Sequence, residues 1–108
     1  MAIKIQVSDI VRCTVRGTIA NQDGPQPFDF WFLARRLDDA ALADKLAERD
    51  SLIADFLADI VTGWGGVKGE DGELPFTEGA LRELMKIPGI SKLMLRAYIE
   101  DVGAKAKN

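Results

Sequence analysis

Apolar and polar residues alternate along the first part of the chain. Val11, Cys13, Val15 and Ile19 fall on one side, and Arg12, Thr14, Arg16 and Thr18 on the other. A period of two with β-branched residues predicts a half-buried strand, weakened or bulged at Gly17. Asn21 to Pro27 is turn chemistry, centred on Asp23-Gly24. Alternation then resumes, with Phe28, Phe30, Phe32 and Ala34 facing one way and Trp31 and Leu33 the other. Two such runs around a turn predict an antiparallel hairpin over 11–35. An isolated hairpin is marginal in water, so helices must cover one face. Ile3 to Ile10 reads only as a ragged lead-in.

The period then changes to that of a helix. Asp38 or Asp39 caps a segment carrying Leu42 and Leu46, and Arg49-Asp50-Ser51 can cap the next. Ile53, Phe56, Leu57, Ile60 and Trp64 form one helical stripe, stopping at Gly63. Residues 63–76 read as a glycine-rich acidic loop with an Asp71-Gly72 turn. Trp64 and Phe76 are its bulky anchors, expected to turn inward and pin it to the core. If buried, Trp64 should contribute roughly 3–5 kcal/mol. Thr77 caps a helix with Ala80, Leu81, Leu84 and Met85, and Pro88-Gly89 stops it. The last helix places Ile90, Leu93, Met94, Ala97 and Tyr98 on one face and Leu95, Ile99 and Val102 on a second. That second stripe is either core or a contact for a partner or another copy. The expected fold is one α+β domain over 1–108: an N-terminal hairpin on a mainly helical part, 38–102, of three to four helices. Residues 103–108 form a frayed basic tail.

Length and composition agree with a single small core, since 108 residues are 47% hydrophobic. The formal charge of −3 excludes a general nucleic-acid binder. It is unevenly placed: +2 over residues 1–37, −8 over 38–83 and +3 over 84–108. A single cysteine, Cys13, excludes an internal disulfide and suits a reducing compartment. Without a secretory signal or an apolar stretch of roughly 18 residues, the protein is expected to be cytosolic and off the membrane.

Chemistry is sparse. The chain has no histidine, which removes the commonest general base and metal ligand. Cys13 lies on an apolar strand face, where a small buried hydrophobe is expected rather than a nucleophile. Asp55 and Asp59 stand one helical turn apart with no base four residues along, and two carboxylates make a poor calcium site. Glu70, Asp71 and Glu73 lack EF-hand spacing, and the glycines at 63, 65, 66 and 69 fit no phosphate-binding fingerprint. Arg12, Arg16 and Arg35 interleave with Trp31 in the manner of a single-strand stacking platform. No catalytic residue, metal site or cofactor is predicted.

Gly63-Trp64, Val67, Asp71-Gly72 and Pro75-Phe76-Thr77, followed by Leu81 and Leu84, resemble a pattern in the tail assembly chaperones of long-tailed bacteriophages. Ala97-Tyr98 with Glu100 resembles that family's ending, and the likeness spans about residues 39–102. It implies a non-catalytic protein of the bacterial host cytoplasm, encoded by a phage or prophage and absent from the mature virion. Such a protein keeps the tape measure protein soluble and hands it to tail tube assembly. The tape measure protein, with the tail tube protein beside it, is then the expected partner. Leu95, Ile99 and Val102, joined by Trp31 and Leu33, are the expected contact surface and the basis of weak self-association. The family also implies a frameshifted longer product near Lys107-Asn108. Two other classes stay open: a structural tail or head–tail joining protein retained in the virion, and a small nucleic-acid-binding regulator.

Overall fold

A computed structural model describes residues 2–47 and 52–106. β1 (Ile10–Asn21) and β2 (Gly24–Arg35) form the predicted hairpin, in register from Ile10↔Arg35 to Asn21↔Gly24. Gly24 takes a φ of 114°, so the turn residues are Gln22-Asp23 and the glycine closes the loop rather than centring it. Cross-strand pairs Val11↔Ala34, Cys13↔Phe32 and Val15↔Phe30 are all buried, as alternation requires. Gly17 marks no bulge. A Cβ there would lie 2.8 Å from the Phe28 ring, so the glycine is the seat on which Phe28 rests.

The largest departure from the sequence reading follows the helical stripe. α2 (Ile53–Ile60) ends three residues before Gly63, and β3 (Val61–Gly65) begins at once. It pairs antiparallel with β2 through Leu33↔Gly63, Phe32↔Trp64 and Trp31↔Gly65, giving the sheet order β1-β2-β3. Two forces act together. Val61 and Thr62 are β-branched, with Gly63 and Gly65 poor helix formers, and β2 has an edge whose backbone groups need partners. Trp64 therefore reaches the core side by standing opposite buried Phe32, not by helical spacing. The presumed 63–76 loop also holds a small ladder, β4 (Lys68–Gly69) with β5 (Gly72–Glu73), closed by Gly72 at φ 106°. Leu74 N donates to Val67 O at 2.9 Å just beyond it.

Among the described residues four helices complete an α+β fold: α1 (Asp39–Ala47), α2, α3 (Glu78–Met85) and α4 (Ile90–Val102). Asp38 Oδ1 accepts from Ala41 N at 2.7 Å, and Thr77 Oγ1 from Ala80 N at 3.0 Å. These are the predicted caps. The cap position of α2 is Leu52, without a side-chain bond, and the Arg49-Asp50-Ser51 cap lies outside the described residues. α4 packs against β1, α2 against α4, and α3 against both helices. All this lies on the face of Cys13 and Phe32, so the opposite sheet face, with Arg12, Thr14, Trp31 and Leu33, is left uncovered by that helical layer. The Cα radius of gyration is 15.2 Å, against about 13 Å for a compact chain of this length. Residues 2–9 form no strand and are exposed throughout.

Candidate binding surfaces

Cys13 is fully buried. Desolvation, reinforced by the negative charge of Asp101, pushes its thiol from 9.0 up to about 12. The thiolate that reacts is thus suppressed. The folded protein should show no alkylation by iodoacetamide at pH 8, while the denatured chain reacts fully. The folded state holds this proton more tightly than the unfolded chain, so stability should be complete below pH 9 and fall as pH rises toward 12. Urea midpoints across that range check the sign. Tyr98, also raised by burial, adds in the same direction.

The acidic pair is accounted for by bases distant in sequence. Asp55 Oδ1 lies 2.9 Å from Arg82 Nη1 on α3. Asp59 Oδ2 is 3.4 Å from both Arg35 on β2 and Lys45 on α1. These pairs are half-exposed, so they orient elements more than they stabilise them. Among the described residues no group of three or more His, Cys, Asp or Glu could hold a metal ion, and no helix is long and apolar enough to cross a membrane.

The residues of the Gly-Trp to Pro-Phe-Thr pattern form one structural unit. Trp64 Nε1 donates to Leu74 O at 2.8 Å. The Trp64 and Phe76 rings meet edge to face, with centroids 5.2 Å apart. Val67 is buried, Glu70 and Asp71 make the turn that Gly72 closes, Pro75 leads into Phe76, and Thr77 caps α3. Gly63 leaves room for Leu33, 3.8 Å from where its Cβ would be. Both aromatics pack against the core, as expected.

The expected contact stripe does not survive as one surface. Ile99 is 44% exposed, Leu95 is half-buried against the core, and Val102 is buried, its carbonyl accepting from Arg36 at 2.6 Å. Trp31 and Leu33 stand on the opposite face of the sheet from Phe30 and Phe32, away from the α4 layer. The Trp31 ring lies on Gly65, where a Cβ would come within 2.2 Å, and Arg12 stacks on it at 4.2 Å from its centroid. A ring so occupied offers less face to a nucleic-acid base, which weakens the stacking-platform reading.

A trough beneath the far half of the hairpin had no sequence signal of its own. Ile19 and Phe28 continue the inner apolar face past the helices that cover it. Facing them is the α3–α4 corner, with Ile87, Ile90 and Leu93. Two adjoining recesses of about 310 and 140 Å³ share Ile19, Phe28 and Ile90 as their walls. Lys92 and Arg96 rim the first, and Lys68 the second.

No protein-family model matches the chain, and neither a curated protein nor a solved structure does.

The trough is chemically simple. Its walls are aliphatic and aromatic, and its rim carries Lys68, Lys92 and Arg96 against a single acid, Asp29, a balance that suits an apolar side-chain row flanked by acids. Alternation marked Ile19 and Phe28 as inward-facing, but only the tertiary structure shows that the α3–α4 corner leaves open recesses against them.

Proposed function

We propose that this chain is a non-catalytic tail assembly chaperone of a long-tailed phage or prophage, binding and solubilising the tape measure protein in the host cytoplasm. The observation that carries the reading is the open apolar trough between the hairpin and the α3–α4 corner. A long amphipathic helix cannot bury its own apolar stripe and aggregates unless covered. A basic-rimmed groove covers one by taking its i, i+3, i+4 anchors while Lys68, Lys92 and Arg96 meet acidic flanks. The Trp64–Phe76 unit supports the reading from the sequence side, because the residues resembling the family pattern act together as one clamp behind α3. Contacts are individually weak, which lets tail tube subunits displace the chaperone.

The test is coexpression with the tape-measure reading frame of the same genome. The client should become soluble and co-purify, and Ile19→Glu in the trough wall should abolish both while leaving the chaperone's own denaturation midpoint nearly unchanged. A client equally insoluble with and without the protein overturns the reading. Recovery of the protein in purified virions would instead make it a structural tail or head–tail joining component.

A further inference from the structure

Residues 2–9 carry the two most exposed large apolar side chains among the described residues, Ile5 and Ile3. Ile3 is 90% exposed, Ile5 98% and Val7 60%, alternating with Lys4 and Gln6. A period-two apolar row with no face to cover is unlike the scattered single exposures of Leu46, Leu52, Leu74 or Ile99. Its base is held in place. Arg36 N donates to Asp9 O at 2.7 Å, and Arg36 Nε to Ser8 O at 2.8 Å. The arm therefore departs from the open end of the hairpin, where β1 begins and β2 ends.

The trough lies at the other end. From Asp9 to Gly17, the partner of Phe28, the strand covers about 26 Å at ~3.3 Å per residue. Measured from Asp9, Ile3 reaches at most about 21 Å fully extended and Ile5 about 14 Å. The arm cannot fill the trough of its own chain. A second copy running the opposite way brings each arm base beside the other's trough, and the two-fold arrangement closes with both arms used.

We propose that the N-terminal arm of one copy seats Ile3, Ile5 and Val7 in the trough of a second copy, forming a reciprocal arm-exchanged dimer. Lys4 and Gln6 then face water. Self-association thereby moves from the α4 stripe, broken by the burial of Val102, to the arm. The arm also acts as a placeholder that the client displaces from the trough; that consequence rests on the chaperone reading, whereas the dimer does not.

Sedimentation of the full chain across a concentration series tests it. A monomer–dimer equilibrium is expected, and Ile3→Asp with Ile5→Asp should weaken it at least about tenfold without moving the denaturation midpoint measured at concentrations where the protein is monomeric, since these side chains lie exposed in the monomer. Mixing Ile5→Cys protein with Lys92→Cys protein should give a disulfide-linked pair, because Cys13 is buried and does not compete. A strict monomer at high concentration overturns the proposal. So does a dimer indifferent to the arm substitutions, which would place the interface elsewhere, as at Ile99. If the dimer behaves as expected but the tape-measure client stays insoluble, the chaperone reading alone falls.

Discussion

Tyr98→Ala should destabilise the protein by about 4–5 kcal/mol, the largest single effect expected at any position. Tyr98 is fully buried on α4, with its ring edge-on to Phe56 at 6.0 Å between centroids. Its hydroxyl does what no aliphatic core residue can. It donates to Arg35 O at 2.7 Å and accepts from Leu37 N at 3.0 Å. Arg35 is the last residue of β2 and Leu37 lies between β2 and α1, so the hydroxyl ties α4 to the end of the strand and to the link that leaves it. Truncation opens a cavity among packed side chains and orphans both groups. Tyr98→Phe separates the two contributions: it keeps the ring and should cost about 1–3 kcal/mol for the unpaired groups alone. Since small domains hold roughly 5–15 kcal/mol in total, the alanine variant should be close to half-unfolded at modest urea concentrations. Equal midpoints for the phenylalanine variant and the parent would show that water satisfies those groups.

Trp64→Ala should cost about 2–3 kcal/mol, below the range for a fully enclosed tryptophan, because the side chain is only half-buried. Three things are lost together: packing against Phe32's side of the sheet, the edge-to-face contact with Phe76 and the bond to Leu74 O. The last two tie β3 to the entry of α3 across the β4–β5 ladder, which is too short to hold itself. Trp64→Phe should recover most of the loss and leave a deficit of about 1 kcal/mol for the missing donor. Urea denaturation followed by circular dichroism measures both. The same variants, read by emission from the remaining Trp31, should leave the hairpin's transition coincident with the global one. An unchanged midpoint for Trp64→Ala would mean that Phe76 and the core hold the segment unaided.

Much of the site's framework was legible because it depends on neighbours a few residues apart. The Asp38 and Thr77 caps, the Asp71-Gly72 turn and the Trp64–Phe76 anchor pair each involve short stretches whose chemistry has few alternatives. Trp64 also shows how a correct position can follow from a wrong element. Spacing of i+11 from Ile53 suits a helix, yet the residue arrives beside the core on a strand, since periods of 3.6 and 2 can agree on a single residue's face. The ion pairs of Asp55 with Arg82 and Asp59 with Arg35 were invisible in sequence, being 27 and 24 residues apart.

By itself the sequence determined the hairpin, its inward row Val11, Cys13, Val15, Phe30, Phe32 and Ala34, and the helices after it. Each of these is set by local periodicity and by side-chain chemistry at the turns and caps. Only the tertiary structure decided that Val61–Gly65 is a strand, because the open edge of β2 offered backbone partners that outweigh the helical continuation. It alone decided that Val102 is core rather than surface, and that Ile19 and Phe28 overhang the helices as a trough. Those outcomes depend on how far one layer extends over another, a matter of relative length and placement that no residue's own neighbours encode.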